Sequence, residues 1–241
     1  MKKLGLAMIA LAVGFNLPFA LLGARFDYPD ILRHPAAEVL TAFAAGGPGL
    51  VLIWFSFAVS AMALIPVAIA LAFSQGDWQA RPGLAVGAAI TGALAGLVQA
   101  IGLLRWVFAV PVLAASYTDP AATDAQRAAL ETGFILLNQW GGVAIGEHLG
   151  QALTALWLGL TLAARWNAVS RFDRICNGVA VLAVVGIVLG LGEGLSLALG
   201  TPVAMFSLFT ILGYLAFSLW LVLTGIAMLR GTTPVGKPAL A

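Results

Sequence analysis

The sequence predicts an all-α membrane protein in which six transmembrane helices form one bundle, with short amphipathic helices on the outer face. Two observations predict it. Of 241 residues, 61% are hydrophobic and only 9% are charged, whereas a soluble surface alone needs about 25–35% charged residues. The apolar residues also gather into six runs, each near the roughly 20 residues that cross a bilayer as a helix. This composition excludes a soluble globular protein, a nucleic-acid binder and a disordered tail, and it makes the lipid bilayer the first partner. The formal charge of +2 is too small to act as a global field, so charge placement matters more than the sum.

The first span covers residues 4–23. Lys2 and Lys3 resemble the start of a signal peptide, yet the apolar run of about 20 residues exceeds an h-region of about 7–15. Leu22-Gly23-Ala24 is a poor cleavage sequence, so the span reads as uncleaved. An acidic, Pro-broken stretch fills 24–49 and ends in an amphipathic helix over 35–45. Spans two and three cover 50–73 and 84–108. Within 110–139, Asp119 is an N-cap candidate with Pro120 at the first helical position, and Thr123 with Gln126 makes a box-like second start. That helix leads into span four, 140–163, with a bend at Gly141-Gly142. Spans five and six cover 175–199 and 204–229. One domain, 1–241, holds all six, and the two long outer segments are expected to form a lid.

Orientation follows from the basic residues. One side carries Lys2, Lys3, Arg81, Arg165, Arg171, Arg174, Arg230 and Lys237; the other carries Arg25, Arg33, Arg105 and Arg127. The positive-inside rule then puts both termini in the cytoplasm. Trp78 and Trp166 fall at the inner interface and Trp106 and Trp140 at the outer one, while Trp157 and Trp220 lie deeper as packing residues.

Small residues let helices approach closely in lipid. Gly142, Gly146 and Gly150 repeat every four residues in span four, as do Gly186, Gly190 and Gly194 in span five, and Gly92 and Gly96 in span three. Spans four and five are expected to pack tightly, against each other as an antiparallel pair. Ionisable groups at membrane depth are functional candidates by default. Glu147 stands about 26 Å above Arg165 and Glu193 about 24 Å above Asn177 at 1.5 Å per residue, so both lie in the outer half. The candidate ligand pocket is Arg105, Glu147, His148, Gln151, Glu193, Asn16 and Gln99. Arg105 is expected to pair with at least one glutamate, leaving the other free to exchange a proton. The bland alternative is an ion-pair network that only pins the bundle.

Glu147-His148 matches no di-iron or zinc helix spacing, so no metal is assigned. His34, beside Asp27 and Asp30, and His148 are weak candidates for a zinc or bis-histidine haem site. No cofactor fingerprint is present, and the cofactor is left unknown. The single Cys176 has no partner for an internal disulfide and reads as a small apolar residue near a helix end.

Three stretches are familiar: Phe26-Asp27-Tyr28-Pro29-Asp30-Ile31-Leu32, Arg105-Trp106-Val107 with Pro111, and Gly142 through Gly150. With the length and span count, they resemble a family of bacterial six-span membrane proteins catalogued as a domain of unknown function. The resemblance covers nearly the whole chain. It implies a bacterial cytoplasmic-membrane location and a six-helix fold, and it brings no activity.

Three functions compete. The pocket binds or moves a small amphiphile, ion or proton. The chain is an accessory subunit with a membrane-protein partner. Or it is an outer-leaflet enzyme with a carboxylate or His148 as base, which requires a reactive pair within hydrogen-bond reach.

Overall fold

Each apolar run becomes a helix, and the differences from expectation lie at the ends and at one register shift. The computed structural model describes residues 1–74, 77–165, 170–201 and 203–231. Its helices are α1 (Lys2–Phe26), α2 (Ala36–Phe73), a short α3 (Asp77–Ala80), α4 (Pro82–Phe108), α5 (Val110–Tyr117), α6 (Asp124–Leu137), α7 (Gly150–Ala164), α8 (Arg171–Gly190), α9 (Gly192–Ala198) and α10 (Ala204–Arg230). No strand occurs among the described residues, so the all-α class holds. Five stretches are long and apolar enough to cross a membrane: α1, α2, α4 with α5, α8 with α9, and α10. Predicted span four is built differently. A π-helical segment, Asn138–Leu149, joins α6 to α7 without a loop.

The six long elements close into a ring. α1 packs on α2, α2 on α4, α4 on α7, α7 on α8, α8 on α10, and α10 returns to α1. Neighbours in sequence are thus neighbours in space, even across the long segment of α5, α6 and the π-helical turns that separates α4 from α7. One half of the ring interior is filled by Trp157, Phe217, Trp220, Leu64, Leu158 and Leu221. In the other half, Phe26, Trp54, Trp106, Phe43 and Phe134 form an aromatic cluster contributed by α1, α2, α4 and α6 and by no residue of α10, which leaves room opposite α10.

Several expectations need correction. The helix expected over 35–45 does start there, but it continues through a kink into span two as one element, α2. Gly47 sits at the kink with φ 59° and ψ −161°, next to Pro48, a backbone region open essentially to glycine alone. Asp119 does not cap a helix: its carboxylate accepts from the Ala121 amide at 2.8 Å in a turn. The helix starts instead at Asp124, where Thr123 and Gln126 form a complete capping box. Trp106 is fully buried, not at an interface belt, and stacks on Trp54 at 4.7 Å between ring centroids. Trp140 is 71% exposed. Trp166, Lys237 and the side chain of Trp78 lie outside the described residues.

The fourth and fifth spans do meet, through α7 on α8 and His148 against Gly194, but the closest backbone approaches of the two stripes are to other helices. A Cβ on Gly146 would sit 2.9 Å from the Gly102 Cα of α4, and one on Gly186 would sit 2.7 Å from the Gly213 Cα of α10. The fourth span therefore presses on the third and the fifth on the sixth. In each case a glycine meets a glycine, which neither stripe reveals alone.

Candidate functional site

The third and fourth spans interlock as a polar row against a glycine row. Gln99, Gly102 and Arg105 recur every three residues on α4. A Cβ on Gly150 would strike the Gln99 side chain at 2.8 Å, and one on Gly142 would strike the Arg105 guanidinium carbon at 2.7 Å. The stripe thus does more than bring helices together: it makes space for two polar side chains inside the bundle. The wide turns of the π-helical segment, an arrangement often found at functional sites, change the angles that a straight α-helix would give. In this segment Glu147 faces the cavity while His148 is exposed, its ring against Gly194.

These elements surround a cavity of about 270 Å³. Arg105, Glu147, Gln151, Glu193, Asn16 and Gln99 all line it, and His148, also expected there, does not. Phe15, Phe19, Trp54, Phe57 and Trp106 supply apolar wall, and Ser207, Thr210 and Tyr214 of α10 supply the opposite side. At the lower edge, the Asn16 amide donates to Ser218 Oγ at 2.8 Å and ties α1 to α10. Gln99 donates to Thr154 Oγ at 2.9 Å.

The two glutamates meet, but the cation between them is not the expected one. Arg33, in a single 3-10 turn over Asp30–Arg33, donates through Nη2 to Glu147 at 2.9 Å and to Glu193 at 3.0 Å. Burial works against the Arg33 charge, but the fields and hydrogen bonds of Glu147, and then of Glu193, outweigh it. The guanidinium holds its proton more firmly than usual. The pairing expected of Arg105 is therefore corrected, and neither carboxylate is left over. Arg33 sits 114 residues from one partner and 160 from the other, so no local spacing announces it. The one available signal was stoichiometric: two intramembrane carboxylates beneath an outer loop that carries an arginine.

Arg105 is 8% exposed and forms no ion pair with a carboxylate among the described residues. It donates to the Gly102 carbonyl and, at 3.0 Å, to Asn138 Oδ1, and its guanidinium lies 5.2 Å from the Trp106 ring centre. Asn138 in turn donates to the Leu32 carbonyl at 3.4 Å, linking the 3-10 cap to the buried cation. Tyr28 completes the wall, edge-on to Trp54 at 5.3 Å. Its phenol is pushed well above the usual range, first by burial and then by the Glu147 charge, so it stays a neutral donor. Only the first outer segment caps the cavity. Nothing from 110–139 lines it: Val110 and Ala114 of α5 and Phe134 of α6 pack into the aromatic cluster and do not reach the cavity.

No group of three or more His, Cys, Asp or Glu positioned for a metal occurs among the described residues. His34 Nδ1 lies 3.2 Å from Glu38 on the exposed cap.

A family model described as a domain of unknown function matches residues 4–225. The chain belongs to the DUF4386 family. No curated protein and no solved structure matches it. In this DUF4386 chain, the three familiar stretches converge on the cavity: Tyr28, Pro29, Asp30 and Leu32 come from the first, Arg105 and Trp106 from the second, and Gly142, Gly146 and Glu147 from the third.

Proposed function

We propose that this is a multi-pass protein of the bacterial cytoplasmic membrane, with both termini inside, whose outward-facing cavity binds a small amphiphile through Arg105, Glu147, Glu193 and their neighbours. The basic-residue asymmetry supports the orientation. The observation that carries the function is a cavity with charge at its cap and aromatic rings along its wall, a lining suited to a molecule with one polar end and one apolar end. Leu215 lines the cavity and is 53% exposed. With the half-buried Phe19 across from it, it marks a side entrance from lipid between α1 and α10. Binding is favoured over passage across the membrane, because the packed half of the ring beneath the cavity holds Trp157, Phe217 and Trp220. The accessory-subunit reading treats the same charges as a structural pin and gives no reason for space beside them.

The test uses bromine quenching of tryptophan fluorescence on purified protein in nanodiscs. Adding brominated stearate or its uncharged glycerol ester is expected to give saturable quenching, and most of the saturable part should vanish in the Trp54→Phe/Trp106→Phe double variant. Quenching that never saturates, or that is unchanged in the double variant, would count against a binding cavity.

A further inference from the structure

The carboxylates of the cavity, Asp30, Glu147 and Glu193, stand at its cap, while the stretch of wall around Arg105 holds donors without acceptors. Arg105 carries a full charge at a site nine-tenths buried, yet among the described residues its hydrogen-bond partners are one backbone carbonyl and one amide oxygen. Its Nε has no acceptor among the described residues, and the indole N–H groups of Trp54 and Trp106, which line the same wall, have none either. A buried charge normally has an opposite charge or a full set of hydrogen bonds. The nearest candidates are otherwise engaged: Glu147 and Glu193 both accept from Arg33, and Asp30 is an exposed cap residue. Arg105 cannot shed its charge in the way a lysine can.

Building on the amphiphile reading, we propose that the ligand is a single-chain amphiphile with an anionic head, and that Arg105 is the residue that holds that head. An oxyanion supplies what Arg105 has from no residue in direct contact with it among the described residues, a negative charge with several lone pairs, and a guanidinium receives carboxylate and phosphate oxygens in two parallel hydrogen bonds. The size agrees. A cavity of about 270 Å³ accommodates a head group and the first part of one chain, and the remainder leaves between Phe19 and Leu215 into the outer leaflet. Two acyl chains would not fit. The stacked Trp54–Trp106 pair and Phe57 flank the path of the chain, while Asn138 connects the head-binding cation to the cap through Leu32.

The experiment compares three brominated probes on wild-type protein: stearate, a lysophosphatidate, and the neutral glycerol ester of stearate. At least one anionic probe is expected to bind about ten-fold or more tightly than the neutral ester, the range of a charge-assisted hydrogen bond, and its chemistry identifies a carboxylate or a phosphate head. The Arg105→Gln variant should bind all three within about three-fold of one another, and Arg105→Lys should keep part of the preference. Equal binding of anionic and neutral probes by the wild type would overturn the anionic head and leave the amphiphile cavity standing, and this comparison needs no variant to fold. A preference that survives Arg105→Gln would overturn the role of Arg105. If no probe binds, the cavity reading itself fails, and this inference with it.

Discussion

Leucine in place of Gly146 is expected to destabilise the folded protein by about 3 kcal/mol or more, while leucine in place of Gly159 costs little. The two residues lie on the same crossing of the membrane but meet different surroundings. A Cβ at Gly146 would be 2.9 Å from the Gly102 Cα and 3.3 Å from the Gly141 carbonyl oxygen, and one at Gly159 would meet nothing within 4 Å. Backbone cannot rotate away as a side chain can, so the helices must part, and overpacking of a tight core costs about 1–3 kcal/mol even where side chains absorb it. Separating α4 from the π-helical segment also dismantles the seats of Arg105 and Gln99. Unfolding in mild detergent, followed by tryptophan fluorescence, checks the contrast. Equal stability of the two variants would show that the Gly102–Gly146 crossing is not a tight contact.

The second large effect belongs to Arg33. Arg33→Gln is expected to cost about 1–3 kcal/mol, less than the 3–5 kcal/mol of breaking a fully buried pair, because the three side chains remain 18–32% exposed. The loss arises from two carboxylates left facing each other without a cation. It follows that the triple variant Arg33→Gln/Glu147→Gln/Glu193→Gln should recover most of the stability, since it removes the stranded charges along with their partner. Thermal unfolding of the four proteins (wild type, Arg33→Gln, the double Glu→Gln and the triple) reads the coupling directly. A triple variant as unstable as Arg33→Gln would mean that Arg33 acts through packing of the cap and not through its charge.

What the sequence could reveal divides along a physical line. Helix positions follow from local hydrophobicity, which is why α4 and α10 begin within two residues of expectation. Capping is equally local, and Thr123 with Gln126 is found where the spacing puts it. Ionisable groups at depth are visible too, because the bilayer makes any such residue conspicuous; Glu147, Glu193 and Arg105 do surround one space. Partner choice was not legible. Which helix receives a glycine stripe depends on the ring order, and which guanidinium reaches a carboxylate depends on how a loop folds back. Arg33 was counted only among the basic residues of the outer side for that reason. His148 was placed in the pocket because it is an ionisable group at depth beside Glu147, and depth alone does not say which way a side chain faces: it is exposed and lies outside the cavity. Trp106 was read as an interfacial residue because aromatic side chains at helix ends usually are, and nothing local distinguishes one that packs inward against Trp54.

The most direct test of the central claim, that this cavity is a binding site for an amphiphile, is an experimental structure of the protein extracted with its native lipids retained. The account predicts an elongated non-protein density with its head against the Arg105 guanidinium and its chain passing between Phe19 and Leu215, beneath an intact Arg33–Glu147–Glu193 cap. A cavity collapsed onto its own side chains, or one holding only water with Arg33 turned out to solvent, would contradict it.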